Sequence, residues 1–163
     1  MIYKYVAIGV LFSSVIYVGG QIKRAYEKKY RYLDKLNSFL IRLKNEIETN
    51  KTPIIKIVEN EIKSGGVLEN TLTNYKERIT NKQEIENIAP SNIFLSKTEK
   101  AKIEDLFVNL GNFDYESELS FIKKKESEID EMLKDAKQDK IKKGDLYFKL
   151  SVMLAFAITL LLL

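Results

Sequence analysis

The chain has 163 residues, of which 45% are apolar and 31% are charged, and its formal net charge is +4. This length suits a single domain, and a charge this small and this mixed with acidic residues argues against nucleic acid as a partner. The absence of cysteine and histidine excludes disulfides and thiolate metal sites, and it argues against most hydrolases and metalloenzymes, which use histidine as general base or zinc ligand.

The first predicted element is an uncharged apolar segment that follows a short tail of residues 1–4. It extends from Tyr5 to Ile22, and a helix of this length reaches about 27 Å, close to the hydrocarbon thickness of a bilayer. We therefore predict a transmembrane helix over residues 5–22. A cleaved signal peptide is the alternative, because small residues occupy positions 18–20, but the basic residues that follow at once resist translocation.

A charged helical domain is predicted over residues 23–145. Its first helix covers residues 24–49, where a narrow apolar seam recurs at steps of three and four: Tyr26, Tyr30, Leu33, Leu36, Leu40, Leu43 and Ile47. Thr52 and Pro53 predict the start of a second helix, with Thr52 as N-cap and Pro53 at the first helical position. Gly65 and Gly66 predict its end in a left-handed cap.

The second half of this domain is predicted to contain three more segments. A short third helix carries Leu68, Leu72, Tyr75 and Ile79, and an irregular connection with Pro90 covers residues 81–96. Ser96 and Glu99 form a capping box for the next helix, which ends at Gly111. Asp114 is expected to cap the last helix of the domain, whose stripe is Tyr115, Leu119, Ile122, Ile129, Met132, Leu133 and Ala136.

That last helix continues into a second apolar segment, residues 146–163, which predicts another transmembrane helix. Its one charge, Lys149, lies a turn from the polar end, where its stem can reach the headgroups; an ion path is the alternative. Basic residues follow the first span and precede the second. Because positive residues stay in the cytoplasm, the central domain is expected to be cytoplasmic and both termini to lie across the membrane. The same clusters also suit anionic lipid headgroups.

We predict an all-α fold, an antiparallel helical bundle flanked by two transmembrane helices, since no run alternates with the period of a strand. The chain has no phosphate-binding glycine loop and no Gly-x-Ser-x-Gly turn. Its paired carboxylates fit ordinary surface ion pairs on helices. We therefore expect no catalytic, cofactor or metal site, and a protein that is not an enzyme and acts through contacts.

The order of features resembles the stage III sporulation protein AB family. The resemblance rests on Leu40-x-x-Leu43-x-x-Glu46-Ile47 and Lys51-Thr52-Pro53, and on Leu110-Gly111-x-x-Asp114 before a long charged helix and a C-terminal span. Two departures are mild. Thr49-Asn50-Lys51 stands where the family pattern often has a glycine-containing step, and a glutamine common after the aspartate is replaced within residues 116–118.

The resemblance implies an endospore-forming bacterium and a component of the secretion-like channel between mother cell and forespore, in the mother-cell membrane that surrounds the forespore. Family members are similar to the F, or platform, protein of type II secretion and type IV pilus machines, which implies a type II secretion F-like bundle. The implied partners are membrane lipids, an ATPase like the stage III sporulation protein AA, other membrane components of the channel and further copies of the chain.

Five positions match the family pattern and are candidate partner contacts: Glu46, Thr52, Pro53, Gly111 and Asp114. Each also has an ordinary explanation as a cap, a turn or a surface residue. The alternative function is a membrane-tethered helical adaptor outside sporulation. A pore-forming protein fits less well, because a pore does not need a long polar domain.

Overall fold

The computed structural model describes residues 2–162, apart from the side chains of residues 2 and 4. Its elements are α1 Ile2–Asn50, α2 Ile54–Ser64, α3 Glu69–Thr80, α4 Lys97–Asn109, α5 Tyr115–Asp139, a π-helical turn Lys140–Gly144 and α6 Asp145–Leu162. Residues 2–162 contain no strand. The predicted all-α class is therefore confirmed.

The chain divides into two compact units. The span unit comprises Met1–Tyr30 and Asp135–Leu163, and the bundle unit comprises Arg31–Lys134. Helices α1 and α5 each contribute residues to both units.

The span unit is an antiparallel pair of helices. Phe12 packs edge-to-face on Phe156 with ring centroids 5.3 Å apart, whereas nearer the other end Lys23 Nζ lies 2.8 Å from Asp145 Oδ1. Between these contacts the backbones approach closely at Gly19, where an added Cβ would overlap the side chain of Ser151. Residue numbers thus rise along one helix as they fall along the other.

Two long helices contain an apolar stretch long enough to cross a membrane. The first is α1, and the second is the continuous helix formed by α5, the π-helical turn and α6. Only 11% of the apolar window in the first helix is buried within the protein, and 6% in the second. A core helix of a soluble protein would be mostly buried, so these exposed apolar surfaces fit a lipid environment better than an aqueous one.

The π-helical turn replaces the uninterrupted helix expected between α5 and the second span. Its last residue, Gly144, is buried, and a Cβ there would lie 3.5 Å from the Tyr26 Cβ. Residues 137–143 are almost entirely polar. Because they show no apolar periodicity, the sequence does not predict that the helix widens to a π-helical turn here.

The core of the bundle unit is built by all of its helices and by the connection 81–96. Helix α1 buries a wider stripe than the predicted seam, because Tyr32 and Phe39 are also fully buried. The other buried apolar residues are Leu33, Leu36, Leu40, Leu43, Ile47, Ile57, Val58, Leu68, Leu72, Tyr75, Ile88, Ile93, Leu95, Ile103, Leu106, Phe107, Leu110, Ile122, Ile129 and Met132. A helix with neighbours on more than one side needs this wider stripe.

Some residues of the predicted stripes lie outside this core. Ile79 is 40% exposed and Tyr115 is 43% exposed, because each lies at an end of its helix. Tyr26 and Tyr30 belong to the span unit and are half-buried. The irregular connection is anchored rather than loose, since Ile88, Ile93 and Leu95 lie in the core.

Two predicted helix ends can be compared with the structure here. The capping box is confirmed: the Glu99 amide donates to Ser96 Oγ and the Ser96 amide donates to the Glu99 carboxylate. The predicted left-handed cap after α2 is wrong in detail. Gly65 has φ +70° but ψ −179°, an extended conformation of positive φ that suits glycine.

Candidate functional site

The turn between α1 and α2 is held by Glu46. Its Oε2 accepts hydrogen bonds from Asn50 Nδ2 at 3.0 Å and from Thr52 Oγ1 at 3.1 Å. These bonds, the one from Asn50 first, hold the pKa of the Glu46 carboxyl below its ordinary value. Lys51, between them, has φ +49°. The single carboxylate therefore ties together the last turn of α1 and the residues that reverse the chain.

The prediction that Thr52 caps α2 is wrong. Helix α2 begins at Ile54, and its N-cap position is Pro53, with φ −59° and ψ 135° and no side-chain capping bond. The Thr52 hydroxyl instead donates a hydrogen bond to the Glu46 carboxylate. As an N-cap, the Thr52 oxygen would accept a hydrogen bond from an amide of the first turn, whereas here the hydroxyl donates to the ionised Glu46 carboxylate in a charge-assisted bond.

The turn between α4 and α5 is held by a second glutamate, Glu118. Its Oε1 accepts the Gly111 amide at 3.0 Å, and its Oε2 accepts the Phe113 amide at 3.3 Å. Glu118 is 4% exposed, and Gly111 has φ +87°. In the sequence, this position stands out only as a departure from a glutamine of the family pattern, and the available signal for its role is its place four residues after Asp114.

Asp114 lies at the start of α5, as predicted. Hydrogen bonding from the Ser117 side chain, and then from backbone amides that include those of Ser117 and Glu116, holds the pKa of its carboxyl below the ordinary value. The Glu118 amide also donates to the Asp114 carbonyl at 2.8 Å. A carboxylate at this position favours the helix because it meets unpaired amides at the positive end of the helix dipole.

The two turns meet around a groove of about 240 Å³, which we call the turn groove. Its lining residues come from both turns and their flanks: Ile47, Lys51, Thr52, Pro53, Ile54, Gly111, Phe113, Tyr115 and Glu118. A Cβ at Gly111 would lie 3.7 Å from Ile54 Cδ1, and the Tyr115 hydroxyl donates to the Glu48 carbonyl at 3.4 Å.

Four of the five family-pattern residues are thereby brought together. Thr52, Pro53 and Gly111 line the turn groove. Glu46 does not line it but accepts a hydrogen bond from the Thr52 hydroxyl. Asp114 is next to the groove but does not line it. More than fifty residues separate the two turns in the sequence, so this convergence is a result of the fold.

An apolar surface continues from the turn groove. A neighbouring groove of about 250 Å³ shares Ile54 and Gly111 with it, and the other residues that line it are Ile55, Tyr75, Ile79, Ile85, Val108, Leu110 and Asn112. Phe113 and Tyr115 in the first groove and Val108 in the second are each more than 40% exposed. A contiguous exposed apolar surface of this kind often marks an interface.

A cluster of three charged residues in the bundle unit links two helices. Lys125 Nζ is largely buried and lies 2.7 Å from both Asp105 Oδ2 and Glu128 Oε2. Burial by itself lowers the pKa of Lys125, but the two carboxylates outweigh it and raise that pKa. The pair with Asp105 joins α4 to α5. Within residues 2–162, no group of three or more histidine, cysteine or acidic residues is placed to hold a metal ion.

The chain matches a known protein family over nearly its whole length. The family model of stage III sporulation protein AB matches residues 4–163. No curated protein and no solved structure gives a significant match to the chain.

Proposed function

Because the chain belongs to the stage III sporulation protein AB family, we propose that it is a non-catalytic platform component of the sporulation channel and that its bundle unit docks the channel's assembly ATPase. The sporulation role follows from the family itself. The two helices long and apolar enough to cross a membrane fit a membrane-bound component. Family membership leaves the adaptor outside sporulation without support.

The observation that carries this proposal is the turn groove. Residues that match the family pattern converge there beside Phe113 and Tyr115, which are 44% and 43% exposed. Aromatic residues in partly enclosed sites contribute much of the energy of protein interfaces. The residues that line it include the aromatic residues Phe113 and Tyr115, several apolar residues and the charged residues Lys51 and Glu118, a mixture that suits a protein partner.

The proposed topology has two membrane spans joined by one cytoplasmic domain. Residues 5–22 and 146–163 cross the mother-cell membrane around the forespore, and residues 23–145 face the cytoplasm. This orientation is supported by the basic residues on the inner flanks of both spans. The bundle would then meet an ATPase like the stage III sporulation protein AA, while the spans meet other membrane components or further copies of the chain.

The docking proposal is tested by a photocrosslinking residue at Tyr115 in sporulating cells. Phe94 is the matched control, since it is another exposed aromatic residue of the bundle unit, at 70%, and it does not line the turn groove. We expect crosslinks to the ATPase from position 115 and none from position 94. We also expect Tyr115→Ala to weaken ATPase capture about tenfold and to lower the yield of heat-resistant spores, and Phe94→Ala to leave both unchanged.

Two results would contradict the proposal. Crosslinks from position 94 and not from position 115 would assign docking to another surface. Failure of the wild-type protein to capture the ATPase from solubilised membranes, in a strain that contains both, would remove ATPase docking altogether.

A further inference from the structure

A second groove, in the span unit, lies between the two membrane-span helices. Its volume is about 350 Å³, and we call it the span groove. The residues that line it are Ser14, Val15, Val18, Gly19, Ile22, Tyr147, Ser151 and Leu154. All of these positions belong to the span unit.

The lining of the span groove is apolar in effect. The Ser14 hydroxyl donates to the Val10 carbonyl at 2.8 Å, and the Ser151 hydroxyl donates to the Phe148 carbonyl at 2.7 Å. Both hydroxyls are thus satisfied within their own helices. Val18 and Leu154, on opposite walls, are 57% and 55% exposed. The groove therefore offers hydrocarbon contacts to whatever fills it.

Its dimensions favour a narrow occupant. From Ser14 to Ile22 a helix rises roughly 12 Å, so the volume corresponds to a mean cross-section of roughly 30 Å². A helix with its side chains is about 10–12 Å in diameter, so it can only lie across the opening of this groove. An extended hydrocarbon chain is narrow enough to lie within it.

Lys143 does not line the span groove, but it precedes Tyr147, a lining residue, by one turn. Its pKa is raised first by the hydrogen bond to Asp139, and also by the nearby Tyr26 and Tyr147. The Nζ lies 2.8 Å from Asp139 Oδ1, and the side chain is 54% exposed. Since an ammonium group has three N–H donors, two remain for a second acceptor.

The segments next to the two spans carry a net positive charge, whereas the bundle unit does not. Residues 23–30 and 135–145 contain eight basic and four acidic residues, whereas the bundle unit, residues 31–134, contains seventeen basic and nineteen acidic residues. The segments next to the spans therefore attract an anionic headgroup, and the bundle unit carries no such excess.

We propose that the span groove holds one acyl chain of an anionic phospholipid, and that Lys143 binds its phosphate. The inference rests on the proposed function only in that the two helices cross a membrane. The bound acyl chain lies along the surface groove where the two spans meet. This lipid differs from the bulk bilayer because it binds at one site and must carry an anionic headgroup.

The test uses the full-length protein, extracted in mild detergent, exposed to equal amounts of phosphatidylglycerol and phosphatidylcholine, and analysed by native mass spectrometry. We expect the protein to retain phosphatidylglycerol. Val18→Phe fills the groove and should remove the retained lipid. Val10→Phe is the matched control, because Val10 is 62% exposed and does not line the groove; it should retain lipid as the wild type does.

A second pair of variants tests the headgroup contact. Lys143→Gln should lower the preference for phosphatidylglycerol over phosphatidylcholine about fivefold. Lys142→Gln removes the same charge from the adjacent residue, whose Nζ contacts Gln138, and should change that preference much less. Excess inorganic phosphate should not displace the lipid, because phosphate lacks the chain that occupies the groove.

Each contrary outcome has a separate meaning. Equal lipid retention by Val18→Phe and Val10→Phe, both with unchanged helicity, would overturn the inference. Displacement by inorganic phosphate would overturn the acyl-chain contact, and a change of oligomeric state in Val18→Phe without loss of lipid would assign the groove to a second copy. In all these cases the proposed function would stand if the protein resists carbonate extraction from membranes. Release of the wild-type protein by carbonate would overturn both.

Discussion

Tyr32 and Tyr75 place phenol groups in the core of the bundle unit. The Tyr32 oxygen lies 3.4 Å from Thr71 Oγ1, and the Tyr75 hydroxyl donates to the Leu110 carbonyl at 3.0 Å. Both residues are almost wholly buried. Burial raises the pKa of Tyr32 to about 12 and also raises that of Tyr75, because the phenolate would lose its hydration.

This burial predicts a loss of stability at alkaline pH. An unfolded chain releases the Tyr32 proton near pH 10, whereas the folded protein holds it to about pH 12. Stability from this group is therefore fully present below pH 10 and lost as pH rises from about 10 to 12, by up to about 3 kcal/mol. Urea unfolding of the full-length protein in detergent, followed by circular dichroism between pH 9 and 12, measures the slope.

Tyr32→Phe should flatten this pH dependence. Tyr3→Phe is the control, since Tyr3 is 89% exposed, and it should leave the slope as in the wild type. An equal slope for Tyr32→Phe and the wild type would show that this phenol does not drive the alkaline transition.

At the scale of elements, the turn between α4 and α5 depends on glycine. Gly111 has φ +87°, and a Cβ there would meet Ile54 Cδ1 only at 3.7 Å, an ordinary contact. The constraint is therefore the backbone angle rather than space. That angle points the amides of Gly111 and Phe113 at the Glu118 carboxylate, and so sets the shape of one side of the turn groove.

We predict that Gly111→Ala destabilises the bundle unit by about 1–2 kcal/mol, the usual cost of positive φ for a residue with a Cβ. Gly20→Ala is the control, for which no loss of stability is expected. Gly20 lies inside α1 with open space around it, and alanine there should be neutral or stabilising, because alanine is the better helix former. Thermal unfolding by circular dichroism compares the two. A Gly111→Ala protein as stable as the wild type would contradict the argument.

At the scale of the whole molecule, the charge is arranged by unit. The basic excess lies in the segments that adjoin the spans, and the bundle unit is slightly acidic. Positive residues beside a span oppose its translocation and also bind anionic lipid. One distribution thus supports both the proposed orientation and the proposed lipid contact.

The orientation predicts the behaviour of fused reporters. Alkaline phosphatase inserted in the exposed part of residues 87–96 should be inactive, because that connection would face the cytoplasm, where the reporter does not form its disulfides. The same reporter fused after Leu163 should be active and serves as the control for expression. Activity at residues 87–96 with none at the C-terminus would reverse the proposed topology.

Much of the fold was predictable because its signals are local. The two apolar stretches, the helix periods, the capping box of Ser96 and Glu99 and the start of α5 at Asp114 depend on residues within a few positions of one another. The presence of two apolar stretches and the approximate positions of the turns were therefore readable along the chain. The family resemblance identified five positions, four of which the fold brings together at the turn groove.

The tertiary structure alone decided how those positions are used. The Thr52 hydroxyl donates to Glu46 instead of capping α2. Glu118 accepts the Gly111 amide and so holds the turn between α4 and α5, a role that a glutamate in itself does not predict. The burial of Tyr32 and Phe39, the π-helical turn and both grooves depend on which helices become neighbours. The sequence determined the helices, since their hydrogen bonds and caps are short-range; packing determined the sites, since each joins residues that are distant along the chain.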